Sequence, residues 1–406
     1  MRAITLYLHI HQPYRYHQYT VFDVGRNSNY WLAPDYNSPQ NNERIFRKVA
    51  DKSYRPMLNL LERNLKKHPD FKVSFSITGT WLEQAEAWAP ELIEQIRRMV
   101  ATGQVEIVGE TYYHSLSFFY NVDEFAEQVQ MHAAKIKELF GVTPQVFRNT
   151  ELAYNNDLAA WAEKAGYKGI LAEGWDKILG WRSPNHVYRP EGCNNLKLLL
   201  KNYRLSDDIA FRFSDKNWPE WPLTVEKYQH WLDMDALRGP LINLFMDFET
   251  FGENVWADTG IFNFIEHLIP QWLSEYDNKF LTVSEACDTA EPADTISMPQ
   301  IVTWADTERD LSAWRSNAMQ DEALTLLYNL RDDILASQNS ELISDWRRLT
   351  TSDHAYYMCT KYWNDGDVHA YFSPFSSPYD AFMYYMNVIR DLQFRLTLCY
   401  NKEIKH

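Results

Sequence analysis

Residues 241–253 read LINLFMDFETFGE, and this stretch decides the fold class. Leu241–Met246 is a nearly continuous apolar run, the pattern of a strand covered on both faces of a parallel sheet. Asp247 and Glu249 follow directly. Charges placed right after a buried strand are costly unless paired or solvated. The same arrangement recurs along the chain. His9 and His11 close the run Ala3–Ile10, Glu106 and Glu110 lie in or just after Val105–Gly109, and Glu151 follows Gln145–Arg148. Further strands are expected at Phe71–Ile77, Lys168–Ala172, Leu196–Leu200 and Phe280–Val283. Helices fall between them. One runs from Pro90 to Thr102, one is capped by Asp123 and stops before Gly141, and one is capped by Asn156 and stops before Gly166. Repeated strand–helix units predict a parallel α/β sheet, and about seven or eight strands favour an incomplete barrel.

The pattern changes after residue 290. AEPADTISMP at 290–299 reads as a linker, and helices are expected at Met319–Ser337, Leu342–Thr351 and Tyr379–Ile404, with a long turn-rich loop at 363–380. The expected division is therefore a barrel-type unit over 1–290 and a C-terminal helical domain over 291–406.

Bulk properties narrow the function. The 406 residues are 45% hydrophobic and 23% charged, an ordinary globular balance. A net charge of −15 disfavours nucleic acid and anionic membranes as partners. The 15 Trp, 25 Tyr and 21 Phe suit sugar faces as well as ordinary cores. Cys193, Cys287, Cys359 and Cys399 form no CxxC pair, so reduced thiols are expected. MRAITLYLHIHQP reads as a first strand and not as a signal peptide, and no apolar run reaches the roughly 18 residues of a membrane span. A cytoplasmic location is the expectation.

In a parallel barrel all strand C-termini open on one face, where active sites form. Two carboxylates flanking a glycosidic bond suffice to hydrolyse it, and a retaining enzyme holds them about 5–5.5 Å apart. Glu151 and Asp247 come from different strands and can face each other, with Arg148 and Glu249 placed to shift their pKa values. Each feature has an alternative. His9-x-His11 is also metal-ligand spacing, Glu106 in QVEIVGE fits a paired core carboxylate, and His114 fits an ordinary loop histidine. Trp304, Trp314 and Trp363 fit either sugar stacking or the core.

HQP at 11–13, GQVEIVGETYYHSL at 103–116, FRNTELAYN at 147–155, FMDFETFGE at 245–253 and TVSEA at 282–286 resemble the five ordered motif regions of glycoside hydrolase family 57. ISMPQIVTWADTERDLSAW at 296–314 and the stretch 351–382 resemble the C-terminal signature of its α-amylase subgroup. The resemblance implies a (β/α)7 barrel followed by a helical domain that helps form the cleft. It implies retaining chemistry on α-glucans without an organic cofactor or metal. By motif position, Glu151 would be the nucleophile and Asp247 the acid/base. His9, His11, Glu106, His114, Glu249, Trp304, Asp306 and His354 would bind substrate. The family also contains 4-α-glucanotransferases, branching enzymes and α-galactosidases, so machinery is implied more closely than substrate. A metal-dependent carbohydrate deacetylase or α-mannosidase-like barrel built on His9 and His11, and a non-catalytic glucan-binding protein, are the competing readings.

Overall fold

The computed structural model describes residues 2–33, 35–361 and 371–403. Trp363 and the part of the expected loop from 363 to 370 lie outside the described residues.

Among the described residues there are ten strands: β1 (Arg2–Ile10), β2 (Val73–Ile77), β3 (Val105–Ile107), β4 (Val146–Arg148), β5 (Gly169–Glu173), β6 (Val187–Pro190), β7 (Lys197–Lys201), β8 (Leu241–Asp247), β9 (Asn278–Phe280) and β10 (Thr295–Ile296). They form two sheets, β3-β2-β1-β8 with β9 also on β1, and β10-β6-β7-β5-β4. All pairings are parallel except that of β6 with β7. Backbone hydrogen bonds connect the sheets at both margins. Gly109 N–H donates to Val146 O at 2.9 Å, Arg148 N–H to Gly109 O at 2.8 Å, and Asn202 N–H to Asn243 O at 2.9 Å.

The expected runs are buried strands because both faces are covered: Ile4, Leu8 and Ile10 meet the outer helices, while Tyr7 and Phe245 pack edge-to-face on the other side. Helices Arg55–Lys67, Pro90–Val100 and Ile261–Leu273 lay Leu61, Ile96 and Ile265 into that outer core. Several boundaries differ from the sequence reading. The caps are Asn121 and Asn155, whose side chains accept from Glu124 N–H and Leu158 N–H, so Asp123 and Asn156 each fall two and one residues past the cap. The expected strand Phe280–Val283 ends at Phe280, and Val283–Thr289 is a helix. Thr282 and Glu285 close a reciprocal capping box there, which outweighs the strand propensity of the preceding residues. The 290–299 segment carries β10, paired with β6, a strand the sequence reading lacks.

Downstream helices Ala318–Asn329, Arg331–Ala336, Ser340–Leu349 and Pro378–Glu403 enclose a second core around Leu327, Trp346, Tyr385 and Leu392. The single helix expected at Met319–Ser337 is broken between Asn329 and Arg331. Tyr16, Tyr19 and Tyr30 from the segment after β1 also enter this core. All four cysteines are free, and no helix among the described residues is long and apolar enough to cross a membrane.

Candidate active site

Residues from the C-terminal ends of β1, β3, β4 and β8 converge on one cluster. Parallel pairing of β1 with β8 sets His9 beside Asp247, whose Oδ1 lies 3.4 Å from His9 Nδ1. His9 Nε2 lies 3.2 Å from Glu110 Oε2. Glu110 is fully buried and also faces His114 Nδ1 at 3.7 Å and Arg148 Nη1 at 3.9 Å. His114 Nε2 in turn lies 3.1 Å from Glu151 Oε1. A continuous chain of acid and imidazole groups thus joins Asp247 to Glu151.

Glu151 sits in a turn, Thr150–Leu152, immediately after β4. Its φ is +59° and that of Leu152 is +50°, a left-handed conformation costly for residues with a side chain. The surrounding contacts hold it there. Trp304 Nε1 donates to Glu151 Oε2 at 2.8 Å, Ser352 Oγ to Oε1 at 3.3 Å, and Trp304 N–H to the Glu151 carbonyl at 3.3 Å. Burial pushes the carboxyl up, but the hydrogen bond and charge of His114, with Arg148 behind, bring it down to about 2. His114 shows the reciprocal effect: burial lowers it, yet its bonds to Glu110 and Glu151 raise it to about 9. The pair is an imidazolium–carboxylate at neutral pH.

The Asp247 side is built differently. Asp247 remains partly open, with 44% of its side chain exposed. Two residues on, Glu249 Oε1 accepts from Tyr54 OH at 2.6 Å and from His11 N–H at 3.2 Å. Burial and the neighbouring Asp247 charge push Glu249 up to about 8, a neutral carboxylic acid at pH 7. Gly252 turns the chain after it with φ +107°, where a Cβ would run into the Lys52 carbonyl.

His11, His9 and His114 form a stack, with ring centroids 4.0 Å apart for His11–His114 and 4.9 Å for His9–His114. His11 lies between Thr78 Oγ1 at 2.9 Å and Asp353 Oδ2 at 3.0 Å. Burial, with the His114 charge beside it, drops His11 to about 4, so it is neutral. Asp353 is held well below the usual carboxylate range: burial opposes ionisation, but His11 and His114 outweigh it.

The structure brings His9, His11, His114, Glu151, Asp247, Glu249 and Trp304 together. It places others elsewhere. Glu106 lies level with Ser74 and Tyr7, two residues short of His9 along the strands. Its Oε2 accepts from Ser284 N–H at 2.9 Å and Ser74 Oγ at 3.3 Å, so it caps the helix Val283–Thr289. His354 is fully buried between the carbonyls of Tyr14 at 2.8 Å and Leu349 at 3.3 Å and faces no cleft. Asp306 bonds Lys361 at 2.9 Å at the margin. Trp314 is 2% exposed inside the C-terminal core, so sugar stacking is closed to it.

Glu110, Asp353, Ser352, Thr78 and Tyr54 join the cluster although the sequence reading gave them no site role. For Glu110 a signal existed, since it follows β3 as Glu151 follows β4. Asp353 stands beside His354 in the same motif, but only packing shows which of the two turns inward. Among the described residues two sets of three groups lie close enough to hold an ion, His9–Glu110–His114 and His11–His114–Asp353, with donor atoms within 4.8 Å. Both draw on His114, whose Nε2 is engaged with Glu151.

A parallel α/β scaffold that presents one ionised and one open carboxylate across a bowl of histidines carries the equipment for cleaving glycosidic bonds. The chain belongs to glycosyl hydrolase family 57, whose model matches residues 5–299. It is 42% identical over 404 residues to a Methanocaldococcus jannaschii protein named "Putative alpha-amylase", covering 96% of this chain and 84% of that one. Solved structures share the fold at low identity. A branching enzyme of family 57 type from Pyrococcus horikoshii superposes with a TM-score of 0.68 at 13% identity, over 91% of this chain and 87% of its own. An alpha-amylase from Thermotoga maritima superposes with a TM-score of 0.64 at 14% identity, over 100% and 94% respectively.

Proposed function

We propose that this chain cleaves α-1,4-glucosidic bonds of glycogen, starch or maltodextrins with retention of configuration. The observation that carries the reading is the unequal treatment of Glu151 and Asp247, linked through His9, Glu110 and His114. Glu151 is held ionised and aimed by His114, Trp304 and Ser352, as a nucleophile must be. Asp247 keeps an exposed side chain beside the neutral Glu249, so it can exchange a proton with substrate and water.

In the first step Glu151 attacks the anomeric carbon while Asp247 protonates the departing glycosidic oxygen. The C–O bond breaks and a glycosyl ester forms on Glu151. Asp247, now a carboxylate, then takes a proton from water, and the water oxygen displaces Glu151. If a sugar hydroxyl takes the place of water, the same steps give a 4-α-glucanotransferase or a branching enzyme. The 42% identical relative with an amylase name favours hydrolysis.

The backbone bonds at Gly109–Val146 and Asn202–Asn243 support reading β1, β2, β3, β4, β5, β7 and β8 as one incomplete (β/α)7 ring. In that reading residues 1–290 form the catalytic unit and 291–406 a helical domain that reaches the cleft through Trp304, Ser352 and Asp353. A metal-dependent reaction would instead use His9, Glu110 and His114, which stand within ligand distance of one another.

The deciding experiment is a product profile with maltoheptaose and with glycogen, run with and without a chelator. Shorter chains with rising reducing ends, insensitive to chelation, are expected. Redistribution of chain lengths without new reducing ends would move the activity to transfer, and loss of activity on chelation would overturn the two-carboxylate mechanism.

A further inference from the structure

A cavity of about 650 Å³ opens away from the histidine bowl, between helices Tyr203–Ala210 and Val225–Ala236. Its apolar wall is made by the half-buried Trp218 and Trp231, set edge to face at 5.8 Å, with Leu205 and Met234. Its polar wall is charged, and each charge has a partner on the lining or just behind it. Arg204 pairs with Asp176 at 2.7 Å, Arg212 with Asp208 at 2.7 Å, Arg238 with Asp235 at 3.4 Å, and Glu220 with Lys227 at 3.5 Å. Every formal charge on the lining has its counterion, so the cavity holds no surplus charge to recognise an ion. What remains is indole surface, with the Arg212 guanidinium over the Trp218 ring at 5.8 Å, and carboxylate groups beside it, which offer paired donors and acceptors. A concave site with aromatic surface and a few convergent polar groups fits a neutral polyhydroxylated ligand.

A relay of side-chain contacts links the cavity's lining to the catalytic face. Tyr203, on its lining, carries the Arg309 guanidinium at 4.4 Å over its ring. Arg309 bonds the Trp304 carbonyl at 3.4 Å and Glu173 at 3.3 Å, and Trp304 holds Glu151. Trp304 and Tyr203 thus stand on either side of Arg309.

We infer that this cavity is a second α-glucan-binding site, seating a distal stretch or branch of the same chain that the catalytic face works on. The inference rests on the α-glucan reading above. It makes polymers better ligands than short oligosaccharides, because only a polymer spans both places and gains the effective concentration of a tethered second contact.

The test is affinity electrophoresis in gels containing glycogen, paired with kcat/KM on maltotriose. Met234→Arg places a long cation across the cavity from a position 53% exposed, and Trp218→Leu removes part of the indole wall. Both are expected to weaken retention by glycogen about tenfold, the loss of one good aromatic contact, while maltotriose turnover stays at the wild-type value. Should Trp218→Leu melt early, Met234→Arg decides alone. Wild-type retention in both variants overturns the second site and leaves the catalytic reading standing. Equal losses on maltotriose and glycogen also overturn it, by showing that the substitutions disturb the catalytic bowl. A wild type that glycogen retains, that Met234→Arg releases, and that turns over no α-glucan supports the second site and sinks the proposed activity instead.

Discussion

The bowl has two sides that treat a carboxylate in opposite ways. After β4, Glu151 is half-buried, strained into a left-handed turn and pinned by three side chains, yet its proton is driven off. After β8, Glu249 is also half-buried and keeps its proton at neutral pH, while Asp247 is more open to solvent. The difference is the nearest charge. Glu151 faces the imidazolium of His114, and Glu249 faces a second carboxyl group, that of Asp247. Burial alone raises both, so the sign of one neighbour decides each state. Environment alone thus separates the protonation states of two carboxyl groups in one site.

That contrast can be broken most severely at Glu151 itself. Glu151→Gln is expected to lower kcat on the order of 10⁴-fold or more, with a melting temperature close to wild type; near-normal turnover would remove Glu151 as nucleophile. Asp247→Asn should cost about 10²–10⁴-fold, the worth of a general acid/base, and the loss should be smallest on substrates whose leaving group needs no proton. An equal loss on every leaving group would place Asp247 outside proton transfer.

Replacing His114 tests the cause of the asymmetry. Without the imidazolium, Glu151 rises from about 2 toward its ordinary value. The acid limb of kcat/KM should therefore move to higher pH in His114→Asn, with a loss of roughly 10²-fold from misplacement. An unmoved acid limb would mean that another group keeps Glu151 ionised.

The smallest effect lies at Glu249 and is read in stability. Its proton is held more tightly in the folded chain, at about 8 against an ordinary 4.5. The resulting stability is complete below pH 4.5 and is lost as pH rises through 8. His114, raised to about 9, has the same sign and loses its share between pH 6.5 and 9. Glu249→Gln fixes the neutral form, so thermal melts of the variant should fall less steeply between pH 5 and 8 than those of wild type. Parallel curves would show Glu249 to be ionised in the folded protein.

Much of this was legible in the chain. Strands such as Leu241–Asp247 and Arg2–Ile10 announce themselves as apolar runs, and the chemistry-bearing residues stand just past their ends. The two carboxylates of β3 and its exit show where that reading stops. Glu106 and Glu110 lie four residues apart in GQVEIVGE, and either could enter a site. Register decides between them: Glu106 sits beside Ser74 and caps a helix, while Glu110 extends past the strand to His9 and His114. Likewise Asp353 and His354 share one motif, but the short helix Ser352–Tyr356 turns Asp353 to His11 and His354 into the core.

The sequence by itself determined the class of fold, the strand ends that carry acids and histidines, and the family signature, because hydrophobic period and residue type are local properties. Only the tertiary structure decided which acid is ionised, which histidine of the stack is charged, and which tryptophan faces the nucleophile rather than the core. Those states depend on groups brought within about 4 Å from distant parts of the chain, where Coulomb interactions and desolvation are both at their strongest.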